Sequence, residues 1–116
     1  MDEKEALTTI SLDLTTQNIG SIFFNQPKEV EFIFINTGKY PLLIYEVRAS
    51  CECTVPEWSQ KPIKPGRSGM IKVIYNADRF GQFNKSINVF ANTQNNPTIL
   101  RFHGEVIEVI NSPLIE

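Results

Sequence analysis

The chain's only two cysteines, Cys51 and Cys53, stand one residue apart in RASCECTVPEW (48–58), a stretch that also holds its only tryptophan, Trp58. Sulfurs at that spacing suggest three chemistries: a disulfide, a metal site or a redox pair. Along an extended strand residues i and i+2 lie roughly 6.6 Å apart with side chains on one face, whereas bridged Cβ atoms stand about 4 Å apart, so a bridge requires the backbone to leave strand geometry. A bridge would also close a very short loop and restrain the unfolded chain little. Two reduced thiols lying side by side are therefore the first expectation. Two thiolates suit a soft ion such as Cu(I), but zinc needs two further ligands, and His103, the only histidine, supplies one at most. A redox dithiol usually has two intervening residues and a helix start that lowers one pKa, and neither is seen here.

The rest of the inventory points away from catalysis. His103 is the one base a hydrolytic triad could use, and it falls on the strand face opposite Leu100 and Phe102, toward solvent or a loop. Asp13, Asp78 or Glu105 could accompany it, but no nucleophile motif does. Carboxylates lie singly beyond the amino terminus, so the paired acid and base of a glycosidase have no signature. PGRSG (65–69) neither follows a strand nor opens a helix, as a phosphate loop must. NKS (84–86) fits the glycosylation sequon with a pattern short enough to arise by chance. No enzyme and no cofactor are expected. Cys51, Cys53 and Trp58 are the candidate interaction or redox positions; Trp58, beside Pro56, is either a rigid interface anchor or a lid on one end of the core.

At 116 residues the chain is expected to form one domain over 1–116, large enough to fold without metal or disulfide, with residues 1–7 as a polar, flexible lead-in. Net charge is −2 and the eleven Lys and Arg are scattered, which argues against a nucleic-acid partner. The longest apolar runs, such as Leu42–Tyr45, fall far short of the ~18 residues of a membrane span. MDEKEALTT lacks the basic start and apolar stretch of a signal peptide, so the chain is either cytoplasmic or follows an export signal absent from this sequence.

Turn signals recur at short intervals: NQPK at 25, NTGKYP at 36, PIKPGRSG at 62, NADRFGQ at 76 and NTQNNP at 92. The runs between them predict strands near 8–14, 19–24, 28–36, 42–49, 69–76, 83–91 and 97–107, with no helix. Alternation places Val30, Phe32 and Phe34 on one face, and likewise Ile71, Val73 and Tyr75, then Ile87, Val89 and Ala91, then Leu100, Phe102 and Val106. Val47 joins the face of Leu42 and Ile44 only if a bulge intervenes. About seven short amphipathic strands that must cover one another make an all-β, immunoglobulin-like β-sandwich, with a small closed barrel as the runner-up.

Several short patterns follow in order: Asn18-Ile19-Gly20; Phe32, Phe34, Asn36 and Gly38; Pro41, Leu42 and Ile44; Ser50, Cys51, Cys53 and Thr54; Pro62, Pro65 and Gly66; Gly81, Phe83 and Lys85; Gly104 and Val106. Together, over residues 18–107, they resemble the bacterial domain of unknown function 1573, a family known chiefly from envelope and secreted proteins of Bacteroides-like bacteria. The resemblance implies an immunoglobulin-like sandwich, related in shape to major sperm protein and cilium-associated domains. It implies a periplasmic, outer-membrane-associated or secreted address and carries no established activity. The family commonly has glycine between the cysteines where this chain has Glu52, which disfavours a bridged Cys51–Cys53. The functional expectation is a noncatalytic binding or scaffolding module, meeting a protein or a glycan through a sheet edge or the loop around Thr54–Gln60. The alternative is a thiol redox or copper-binding module centred on the Cys-x-Cys pair, and an enzyme acting on carbohydrate or peptide comes third.

Overall fold

A computed structural model describes residues 6–108; residues 1–5 of the expected lead-in and residues 109–116 lie outside the described part. Eight strands form there, and no helix: β1 Ile10–Leu12, β2 Thr16–Phe23, β3 Lys28–Asn36, β4 Ile44–Ala49, β5 Thr54–Trp58, β6 Ser68–Tyr75, β7 Gly81–Ala91 and β8 Thr98–Ile107. They make two four-stranded sheets, ordered β1-β3-β6-β5 and β2-β8-β7-β4. The sheets remain two layers and do not close into the barrel, the runner-up architecture. β1 and β2 run in one direction along one flank, and the chain changes sheet between them. β1 pairs antiparallel with β3, and β2 pairs parallel with β8.

The predicted alternation is realised on the inner faces. Phe32 and Phe34 of β3, Ile71 and Val73 of β6, Ile87 and Val89 of β7 and Leu100 and Phe102 of β8 are all buried in one cluster. Tyr75, Phe83 and Phe102 close one end of it, with ring centroids 4.6 Å, 5.6 Å and 6.0 Å apart. Burying an aliphatic or aromatic side chain of this kind contributes about 1.5–3 kcal/mol. In β4 the register shifts between Ile44 and Glu46, and this bulge turns Val47 into the core beside Leu42.

One segment differs from the sequence reading. The sequence predicts a loop at residues 54–58; they form an edge strand, β5, paired antiparallel with β6 from Thr54↔Tyr75 to Trp58↔Ile71. Pro56 hides this strand from a propensity reading because it breaks the run, yet an edge tolerates it. The ladder puts Cys53 and Asn76 in a bonded pair, with the Asn76 N–H donating to the Cys53 carbonyl at 2.9 Å. Counting along the ladder from there, the nitrogen of Pro56 points to the open side, where no ladder bond is lost.

The connections β2–β3, β4–β5 and β6–β7 gather at one end of the sandwich, as the register of the paired strands requires. The opposite end is tied by two asparagines. Asn36 accepts from the Thr8 hydroxyl at 2.6 Å and the Gly38 N–H at 3.1 Å, and donates to the carbonyls of Tyr40 and Ile63, both at 2.8 Å. Asn92 accepts from the Leu43 N–H at 2.7 Å and donates to the carbonyls of Ala6 and Pro41. Side chains thus supply the partners that irregular backbone otherwise lacks.

Candidate functional site

The β4–β5 turn carries both cysteines, and the structure joins them in a disulfide. This corrects the expectation of two reduced thiols. The premise that failed is geometric: residues 50–53 turn between two sheets rather than running extended, so the Cα atoms of Cys51 and Cys53 stand only 5.2 Å apart. That separation lies within the usual disulfide range. Nor does Glu52 need the left-handed conformation that would favour glycine; the described non-glycine residues with positive φ are Asn25 and Ala77.

The turn is held independently of its sulfurs. The Ser50 N–H donates to the Ser86 carbonyl at 2.9 Å, the Ser86 N–H returns to the Ser50 hydroxyl at 3.1 Å, and the Thr54 N–H donates to the Cys51 carbonyl at 3.3 Å. Thr54 itself is buried, with its hydroxyl 3.6 Å from Cys51 Sγ and 3.9 Å from Cys53 Sγ. Cys53 packs against the hydrophobic core, while both cysteines line an open cleft with Glu52, Tyr75, Asp78, Arg79 and Lys85. Lys85 Nζ lies 5.8 Å from the centre of the Tyr75 ring, a cation over an aromatic face. Burial raises the pKa of the Tyr75 phenol, the Asp78 charge raises it further, and Arg79 opposes both. The alternation in sequence places Tyr75 in the core but carries no signal that joins Arg79 or Lys85 to the cysteines. These residues are 22 or more positions from Cys53 and meet it only through the fold.

His103 is not brought to the cysteines. It lies half-buried on the outer face of β8, in a shallow polar trough with Asn18, Gln82, Asn84 and Glu105. The floor of that trough is the paired Gly20 and Gly104 at the β2–β8 irregularity. Among the described residues no group of three or more His, Cys, Asp or Glu side chains is placed to hold a metal ion. Joined to each other, the sulfurs are not the thiolates that Cu(I) would take.

Trp58 ends β5 half-buried, with its ring on the core cluster and its indole N–H buried without a hydrogen-bond partner. The geometry is that of a lid over one side of the sandwich. The free edge of β5 beside it is interrupted by Pro56, which removes a donor from the middle of that edge.

A more continuous edge lies on the opposite flank. β1 ends at Leu12, and beyond the Asp13 N–H, 3.4 Å from the Ile33 carbonyl, nothing in the sheet pairs the outward groups of β3. Counting along the β3–β6 ladder, the backbone groups of Glu29 and Glu31 point to this open side. The Gln17 side-chain amide donates to the Glu31 carbonyl at 2.6 Å. Ile19 and Val30 line the groove between β2 and β3, with Gln17, Lys28, Glu29 and Glu31 around them.

Comparison with known proteins agrees with this architecture. A protein of unknown function from Porphyromonas gingivalis W83 superposes with a TM-score of 0.75 at 17% identity, over 85% of this chain and 47% of that one. The seventh PapD-like domain of human CEP192 gives a TM-score of 0.72 at 6% identity, over 87% of each chain. The secreted serine protease VesC from Vibrio cholerae gives 0.65 at 11% identity, over 90% of this chain but 24% of the protease. This chain therefore spans about half of the P. gingivalis protein and a quarter of the protease, and at these identities the likeness is one of fold. No curated protein matches the sequence. The family described as "Protein of unknown function (DUF1573)" matches residues 10–106, and the chain, an immunoglobulin-like sandwich, belongs to that family.

Proposed function

We propose that the chain is a noncatalytic interaction module of the bacterial cell envelope that binds by adding an extended partner segment to the open stretch of β3. The observation that carries this reading is the pair of outward-facing backbone units at Glu29 and Glu31, on a flank where β1 has already ended. An added strand would gain main-chain hydrogen bonds there and displace the Gln17 amide from the Glu31 carbonyl. Its inward side chains would meet Ile19, and its outward ones would run beside Glu29 and Glu31, so the favoured segment alternates apolar residues with Lys or Arg. The other free edges are less suited. β5 carries Pro56, β2 has an irregularity between Asn18 and Gly20, β4 bulges near Tyr45, and β1 is three residues long.

The envelope address draws support from the Cys51–Cys53 bridge, since disulfides persist in oxidising compartments. The occurrence of similar folds as parts of longer proteins, one of them secreted, agrees with a modular role.

Glu31→Pro tests the edge. Its N–H lies on the open side, so proline removes a donor for an incoming strand and no ladder bond to β6. The expected result is a variant that melts within a few degrees of the parent and loses a partner, identified by affinity capture and mass spectrometry, that Glu31→Gln retains. Equal retention by Glu31→Pro excludes strand addition at this edge.

A further inference from the structure

The disulfide is difficult to explain as a staple. It joins residues two apart, so it removes little freedom from the unfolded chain, and backbone hydrogen bonds at Ser50, Thr54 and Asn76 already hold the turn. A bond that adds little stability, lines a cleft and has one hydroxyl within reach of both its sulfurs is arranged for exchange. We propose that Cys51–Cys53 is a thiol–disulfide exchange site that takes two electrons from a dithiol substrate, with the Thr54 hydroxyl stabilising the thiolate released. This goes beyond the binding role of the β3 edge, which lies on a different flank and does not depend on it.

The step balances without another reactant. Cys53 packs on the core and Cys51 does not, so a substrate thiolate attacks Cys51 Sγ. A new intermolecular S–S bond forms, the Cys51–Cys53 bond breaks, and the electron pair departs on Cys53 Sγ. Thr54 Oγ1, 3.9 Å from that sulfur before the bond breaks and nearly enclosed by protein, can donate to it. The substrate's second thiolate then attacks its own sulfur in the mixed disulfide and releases Cys51 as thiolate, 3.6 Å from the same hydroxyl. The substrate leaves as a disulfide and the chain holds two thiols once both sulfurs take up protons. Arg79 and Lys85 in the cleft favour the approach of thiolates and the anions left behind, against the opposing charges of Glu52 and Asp78. Because the bonds donated by the backbone N–H groups of Ser50, Thr54, Asn76 and Ser86 do not involve sulfur, the reduced pair remains placed to close again.

The test uses the oxidised protein and dithiothreitol. The rate of bridge opening is followed by acid quenching, alkylation and mass counting, with circular dichroism before and after. The expected result is opening under native conditions with the fold retained. Thr54→Val should open about three- to tenfold more slowly, while Thr54→Ser stays within about twofold of the parent. Lys85→Met, a surface change, should also slow the reaction, and it keeps the test valid if the valine variant folds poorly. Three outcomes would overturn the proposal: a bridge that opens only in denaturant, loss of the fold on reduction, or unchanged rates in both Thr54→Val and Lys85→Met.

Discussion

Asn36 and Trp58 both bury polar side-chain atoms, yet those atoms fare in opposite ways. Asn36 is fully buried and every hydrogen-bonding position of its amide is filled, from Thr8, Gly38, Tyr40 and Ile63. Truncation would strand several partners away from water at once, and each such group costs about 1–3 kcal/mol. Asn36→Ala should therefore lower unfolding free energy by at least about 2 kcal/mol, read from the urea midpoint. Trp58 buries an indole N–H that has no partner. Trp58→Phe keeps an aromatic lid and removes the orphan donor, so it should be neutral or raise stability by up to about 1 kcal/mol in the same experiment. Sequence marked Asn36 as a turn residue but not as a buried tie, because Thr8 and Ile63 lie 28 and 27 residues away. For Trp58 the sequence leaves two alternatives, anchor or lid, because its packing depends on where β5 lies.

Strands were legible where one face alternates without interruption, as in β3, β6, β7 and β8, since burial of every second residue fixes both type and register. β5 was not legible: five residues with Pro56 in their centre read as loop, and only the ladder offered by β6 makes them a strand. The parallel pairing of β2 with β8 was equally hidden, because it follows from the chain's change of sheet after β1. It also imposes a constraint at its irregularity, where Gly20, at φ 74°, faces Gly104. A Cβ on Gly104 would run into the Gly20 carbonyl oxygen and come within 2.9 Å of Phe83 Cζ. The clash is with backbone and a core ring, neither of which yields easily. Gly104→Ala should therefore cost about 1–3 kcal/mol, the range of overpacking, and loosen the β2–β8 pair. Faster amide exchange in β2 than in β3 would localise the damage; a variant as stable as the parent would show that the close approach relaxes freely.

At the scale of the molecule, chemistry and charge meet at the end where three connections converge, and the alkaline limb of stability reports on that end. Tyr75 belongs to both neighbourhoods: its ring packs against Phe83 and Phe102, and its residue lines the cleft with Cys51, Cys53 and Lys85. Burial and then the Asp78 charge raise its pKa, with Arg79 opposing them. A raised folded-state pKa means that, above the usual phenol value near 10, the native chain holds this proton more tightly than the unfolded chain. The contribution is thus complete below about pH 10 and is lost as pH rises through the folded-state value. Unfolding free energy should fall above about pH 10 more steeply in the parent than in Tyr75→Phe, which has no proton to lose at this position. Asp78→Asn removes the second cause, brings the folded-state value closer to that of the free phenol, and should make the parent's decline smaller without moving its onset. Parallel alkaline limbs in the parent and Tyr75→Phe would mean that the phenol reaches solvent freely, and the cleft would then be wetter than its packing against the aromatic end of the core implies.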